Sequence, residues 1–300
     1  MASRPDPASL LVLARDVVGD LTSGLPRSLD PAQVDLREMD LLYPPILVFA
    51  RGFFLALGLQ TSVSGSDHVP RSGGAVMAIN HTSYIDFPFA GLAARPSNRL
   101  VRFMAKESTF RHRVSGPIMR GLHHIPVDRE AGAGALEAAV GSLRAGEIIG
   151  VYPETTISRS WEIKPLKTGA VRMAKEAGVP ILPTVIWGAH RIWTKGRPRD
   201  FGRNGYPVLI EVGQPIEVSP EDEARRATQH LRTEMRTILH RLQETYPDRP
   251  GPGEDPWWLP HRMGGSAPTL TQAEEMDAEE REARRAARDA RESSGTVPSA

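Results

Sequence analysis

Apolar and polar positions along this chain fall into blocks of distinct period. The most apolar block is LLYPPILVFARGFFLALGL at 41–59. Pro44-Pro45 trims the helix it predicts to about Ile46–Leu59, and Arg51 sits mid-segment at a cost of about 2.5–3.5 kcal/mol for bilayer insertion. Such a helix is too short to cross roughly 30 Å of hydrocarbon, so the block predicts either a core helix or an interfacial helix lying in one leaflet.

Short apolar runs then alternate with helical periods. Gly73-Gly74 leads into AVMAIN (75–80), which reads as a buried strand ending at His81. AGALEAAVGSLR (133–144) reads as a helix stopped by Gly146, and EIIGVYPE as the next strand. TGAVRMAKEAG predicts a helix from about Thr168 to Ala177 with Gly178 as its C′ residue, followed by the strand VPILPTVIW. PVLIEVGQPIEV (207–218) adds one or two strands, and Ser219-Pro220 opens a helix through about Glu244. The alternation predicts an α/β fold: a single domain at 61–246 with a mixed, partly parallel sheet flanked by helices. Before it stands an N-terminal region, 1–60, carrying the apolar helix. After it, 247–300 reads as a linker and a charged, flexible tail, with PWWLPHRM tucking Trp257 and Trp258 onto the domain. From Leu270 to Glu292 the chain is almost wholly Ala, Glu and Arg, which predicts a solvated helix with no apolar stripe and no part in catalysis.

Composition removes several classes of function. With 37 Lys+Arg against 36 Asp+Glu there is no basic excess of the kind nucleic-acid binding needs. Zero cysteines exclude disulfides, thiolate metal sites and a cysteine nucleophile. The first twenty residues lack a clean apolar region with a cleavage site, so no signal peptide is expected. The charge is nevertheless segregated. Eight bases between Arg95 and Arg129 face only Glu107 and Asp128, and this block, interleaved with Phe103, Met104, Phe110 and Ile118, suits an anionic ligand or membrane surface as well as an ordinary solvated face.

Two His-to-Asp spacings of five occur, His81–Asp86 and His123–Asp128. HHIPVD reads as extended, which puts its two ends on opposite faces of a strand. HTSYID follows a strand, and Thr82 or Ser83 can cap a helix entered at Tyr84, letting Asp86 turn back to orient His81 as a base. A second cluster, YPETTISRS (152–160), delivers Glu154, Thr155, Thr156 and Arg159 into a loop with Lys164 and Lys167 just beyond, a set that suits a phosphoryl group or an ordinary polar loop. The histidines at 68, 112, 190, 230, 240 and 261 read as surface or core residues.

Taken in order, NHTSYID (80–86), GLHHIPVDR (121–129), YPETTISRS with LKTGA (166–170), and VPILPT (179–184) resemble the blocks of the PlsC-like glycerolipid acyltransferase family, over about residues 45–215. The resemblance implies an enzyme of phospholipid biosynthesis that moves a fatty acyl group from acyl-CoA or acyl carrier protein to the free hydroxyl of 1-acylglycerol 3-phosphate, forming phosphatidate. His81 would be the general base held by Asp86. Arg129 and Arg159 would bind the acceptor's phosphate, with Lys106 a further candidate and Glu154, Thr155 and Thr156 lining the substrate. Backbone amides near Glu154–Thr156 are candidate oxyanion donors. No metal or cofactor is implied; the partners are the lysophospholipid, the acyl thioester and the cytoplasmic face of the plasma membrane. Direct transfer fits a chain with no cysteine and no G-x-S-x-G sequence. One departure stands out: where the family loop reads Glu-Gly-Thr-Arg-Ser, Thr155 replaces the glycine and Ile157 the arginine. The same chemistry on another lysolipid, an amino-lipid or a glycolipid therefore stays open, as does a non-catalytic, membrane-docked lipid-binding protein. A phosphohydrolase would need a metal site from His123, His124 and Asp128.

Overall fold

Every position of Ala75–Ile79 (β2) is buried, so this strand must be covered on both faces. The same holds for Ile148–Val151 (β5) and Ile181–Trp187 (β6), and parallel strands buried on both sides read as continuous apolar runs. In the computed structural model, which describes residues 43–113, 115–127 and 132–293, these three strands form the centre of a seven-stranded sheet. The order is β1-β7-β6-β2-β5-β3-β4, with β1 at Gln60–Ser64, β3 at Val101–Lys106, β4 at Ile125–Val127 and β7 at Pro207–Val212. All pairings are parallel except β6 with β7.

Alternate residues of β2 feed two cores. Val76 and Ala78 face the helices Gly132–Arg144 (α5), Gly169–Ala177 (α6) and Ala224–Glu244 (α7). Ala75, Met77 and Ile79 face Tyr43–Ala56 (α1) and Asp86–Ala94 (α2). Two short helices, Glu107–Arg111 (α3) and Ser115–Gly121 (α4), connect β3 to β4. Gly178 ends α6 with φ 68, as its C′ position requires. Gly188 ends β6 with φ 101, where an added Cβ would meet the Pro207 carbonyl at 2.1 Å, so only glycine permits this turn.

Several elements differ from expectation. Helix α1 begins three residues early because prolines fit a first helical turn, whose N–H groups have no partner in any case. It buries Phe54 in the core, as does Leu57 just beyond its end, while Val48, Phe49 and Leu55 are exposed. No helix among the described residues is long and apolar enough to cross a membrane. Helix α7 starts at Ala224 rather than at Ser219-Pro220, because the Ser219 amide donates to Asp222 Oδ2 in a preceding turn.

The expected linker and flexible tail over 247–300 shows the largest difference in its described part, up to residue 293, the last seven residues lying outside the described ones. Trp258, Leu259 and Ala267 lie in the core, and His190 Nε2 donates to the Trp258 carbonyl at 2.9 Å. Burial holds the His190 imidazole down near a pKa of about 3, so the ring is neutral. The helix Leu270–Ser293 (α8) then packs onto the domain with Ala273 and Asp277 buried.

Candidate active site

β2 is flanked by the parallel strands β5 and β6, so all three deliver their C-terminal ends to one edge of the sheet. Loops at that edge are where parallel α/β sheets place their chemistry. Asn80 ends β2 with a wholly buried side chain that clasps β6: its Nδ2 donates to the Ile186 carbonyl at 3.0 Å and its Oδ1 accepts the Ile186 amide at 2.7 Å. His81 follows directly.

The chain turns after His81 because Asp86 reaches back. Its Oδ2 accepts the amides of Thr82 (2.9 Å) and Ser83 (2.8 Å) and lies 3.1 Å from His81 Nδ1. A carboxylate oxygen only accepts, so Nδ1 carries the hydrogen and Nε2 keeps the lone pair. Helix α2 begins at Asp86 itself, two residues later than expected from Tyr84, and neither Thr82 nor Ser83 caps it from its N-cap position. Instead Ser83 Oγ donates to the Trp193 carbonyl at 2.6 Å and Thr194 Oγ1 to the Thr82 carbonyl at 2.7 Å, so the segment after β6 braces the turn from outside. Asp86 is buried, and burial is the strongest influence, pushing its carboxyl above the ordinary aspartate value against the bonds from His81, Ser83 and Thr82. A poorly solvated carboxylate in this place stabilises an imidazolium strongly as it forms. The His81 ring stacks on Tyr152 with centroids 4.3 Å apart.

The loop after β5 is tied to this turn through Glu154, which differs from its expected place among substrate contacts. Glu154 is buried and spends one oxygen on the His81 amide (2.8 Å) and the other on the Lys164 amide (3.0 Å). Burial pushes its pKa up to about 7, opposed by those two amide bonds and by the Lys164 charge. Ser158 closes the circuit by donating its amide to the His81 carbonyl at 2.7 Å. The amides expected as oxyanion donors are engaged within the loop: Thr155 N bonds Tyr152 O at 3.0 Å and Thr156 N bonds Glu154 O at 2.9 Å. Thr155 stands in the left-handed region at φ 66, where a glycine is at ease and a β-branched residue is strained. Ile157 is buried, and the Arg159 guanidinium lies against Asp277 and Glu280.

Arg159 belongs to a cation cluster of different construction. Lys164 Nζ lies 2.9 Å from Asp277 Oδ2, and Lys195 Nζ lies 3.1 Å from Asp277 Oδ1. Arg159 Nη2 lies 3.1 Å from Glu280 Oε2, which Lys195 also contacts. Thr156 Oγ1 donates to Asp277 Oδ2 at 3.2 Å. Lys195 enters from the loop after β6, and Asp277 and Glu280 from α8; nothing in their local sequence marked them. Lys106 ends β3 at the same edge of the sheet and is exposed, with no contact to the other candidate residues described. Arg129 and Asp128 lie outside the described residues.

A family model described as Acyltransferase matches residues 60–187, from the first residue of β1 to the last of β6. A 1-acyl-sn-glycerol-3-phosphate acyltransferase of Bacillus subtilis is 31% identical over 163 residues, covering 54% of this chain and 76% of that protein. The chain belongs to the PlsC-like acyltransferase family. A second relative of the same description, from Limnanthes douglasii, is 28% identical over 163 residues and is covered for 55% of its length. The crystal structure of the 1-acyl-sn-glycerophosphate acyltransferase PlsC from Thermotoga maritima shares the fold, with a TM-score of 0.59 at 22% identity over 79% of this chain and 91% of that one. The His81 turn and the loop after β5 lie inside the stretch that marks the PlsC-like family, whereas Lys195, Asp277 and Glu280 lie beyond it.

Proposed function

We propose that this acyltransferase moves a fatty acyl group from acyl-CoA or acyl carrier protein to the free hydroxyl of 1-acylglycerol 3-phosphate, forming phosphatidate. The observation that carries the catalytic assignment is the contact of 3.1 Å between His81 Nδ1 and Asp86 Oδ2. With Nδ1–H committed to the carboxylate, Nε2 takes the proton of the acceptor hydroxyl as the hydroxyl oxygen attacks the thioester carbonyl. The tetrahedral intermediate collapses by breaking the C–S bond, and the imidazolium returns its proton to the departing thiolate. Glu154 is a positioning residue, holding the His81 backbone to the loop after β5. Arg159 is the described candidate whose placement best supports binding of the acceptor's phosphate.

The reaction is assigned to a membrane surface, on the cytoplasmic face of the plasma membrane. An aromatic band supports this: Phe53 meets Phe201 at 5.7 Å, Phe201 meets Trp193 at 6.0 Å, and Trp193 meets Tyr84 at 5.0 Å between ring centroids. It runs from α1, where Phe49 is 75% exposed, to within three residues of His81, the course a lipid acceptor would follow from a bilayer.

The test is thiol release from an acyl thioester by detergent-solubilised protein, with 1-acylglycerol 3-phosphate or monoacylglycerol as acceptor. Turnover that requires the phosphate supports the proposal. Turnover indifferent to it moves the acceptor to another lysolipid, an amino-lipid or a glycolipid, the reading that buried Ile157 in place of an arginine favours. Absence of turnover with every acceptor and both donors leaves a membrane-docked lipid-binding protein.

A further inference from the structure

Helix α8 docks without an apolar stripe. Its inward positions are Ala273, Asp277 and Glu280, spaced as one helical face, while Met276 and nearly all later residues whose burial is described are exposed. What holds this face is charge: two carboxylates set among Arg159, Lys164 and Lys195. Asp277 is buried, which alone would raise its carboxyl, yet the bonds from Lys164 and Lys195 hold it below the ordinary aspartate value. Bonds from Lys195 and Arg159 lower Glu280 in the same way.

Together the two carboxylates carry a charge of about −2, close to that of a phosphate monoester, which is about −1.5 to −2 at neutral pH. The fit to carboxylates is incomplete. Arg159 Nε is buried and donates no hydrogen bond among the described residues, its approach to Asp277 Oδ1 being 3.7 Å. A phosphate offers three terminal oxygens, and a guanidinium fork with two ammonium groups and a hydroxyl is a donor set suited to them. The site shares its loop with Glu154, whose carboxylate holds the His81 amide.

We propose that Arg159, Lys164, Lys195 and Thr156 form the binding site for a phosphate monoester, and that Asp277 and Glu280 of α8 occupy it as internal stand-ins until the ligand displaces them. This rests on the reading that the acceptor bears a phosphate. It adds that Lys195 and Lys164 are phosphate ligands, and that α8 competes with the acceptor for them. The charge exchange is balanced: two carboxylates leave for water as one dianion enters, and no buried cation is left unpaired.

The deciding experiment uses the full chain and glycerol 3-phosphate as probe, with glycerol as the uncharged control. Hydrogen exchange is followed peptide by peptide. Amides of α8 should exchange about tenfold faster at saturating glycerol 3-phosphate while those of α7 are unchanged and glycerol has no effect. Unchanged or slower exchange in α8 would overturn the proposal and make the helix a structural strut. A second arm uses Glu280→Gln, less buried than Asp277 and so less prone to misfold. Its KM for 1-acylglycerol 3-phosphate should fall about three- to tenfold with no change in KM for monoacylglycerol. An equal change for both acceptors, or a rise for the phosphorylated one, would contradict it. If wild-type protein turns over no lysophosphatidate, the functional proposal fails on that result alone, and the exchange arm still decides the site.

Discussion

Two polar clusters share one edge of the sheet and are built in opposite ways. The His81 turn is local: six consecutive residues, with one carboxylate oxygen taking two amides and an imidazole. The cation cluster is remote, joining Thr156 and Lys164 to Asp277 across 121 and 113 positions of sequence. Local construction brings the atoms of the proposed reaction together within one turn, and bonds from the loop after β5 and the segment after β6 brace it. Remote construction depends on the docking of a helix whose inward face carries charge, and such docking is more easily undone than apolar packing. One cluster is therefore suited to chemistry that must not move, the other to binding that can open.

The comparison can be broken most severely at Asp86. In Asp86→Asn an amide oxygen in the place of Oδ2 can still accept from Thr82, Ser83 and His81 Nδ1, but the negative charge that stabilises an imidazolium is gone. Turnover should fall about 10³-fold with little change in unfolding midpoint. A loss of fold in place of a loss of rate would show that Asp86 maintains the turn and does not act through its charge on His81.

Glu154 links the two clusters, and Glu154→Gln sets an NH2 group against a backbone N–H. We expect destabilisation by about 1–3 kcal/mol, measured by denaturant unfolding. The sign of its pH dependence is defined. Folding raises the Glu154 pKa from 4.5 to about 7, so its contribution is full below pH 4.5 and is lost as pH rises through about 7. The stability advantage of wild type over Glu154→Gln should therefore grow as pH falls from 7 to 4.5. Parallel pH profiles would show that the carboxyl does not titrate there.

Smaller effects sharpen the picture. Thr155→Gly should stabilise the protein by about 0.5–1 kcal/mol by relieving a left-handed β-branched residue, visible as a raised unfolding midpoint. Arg284→Ala should change stability by less than about 0.5 kcal/mol, since Arg284 is exposed and its ion pair with Glu280 is open to solvent. A larger loss would show that the anchoring of α8 extends beyond Asp277 and Glu280 to its exposed end.

Legibility from sequence followed the same division. The buried strands β2, β5 and β6 declared themselves as apolar runs between turn signals, and the HTSYID turn was readable because its partners are five residues apart. Strand β1 escaped because all five residues of QTSVS are exposed, so backbone pairing with β7, not an apolar pattern, makes it a strand. Strand β3 escaped because Arg102 interrupts it, and that side chain is buried against Glu147 at 3.3 Å and the Leu122 carbonyl. Helix α8 was read as solvated because its inward face offers one alanine and two carboxylates, which hydropathy counts as surface. The departure in the third block was visible as Thr155 and Ile157. That Arg159 would turn toward α8 was not, because its partners come from the far end of the chain.

The most direct test of the account is thiol release from acyl-CoA and acyl carrier protein donors with 1-acylglycerol 3-phosphate, comparing wild type with His81→Ala at matched unfolding midpoints. The account predicts phosphatidate formation by wild type and a rate lower by about 10²–10⁴-fold in the variant. Equal rates in the two proteins would contradict it, because the base would then have to lie somewhere other than at the end of β2.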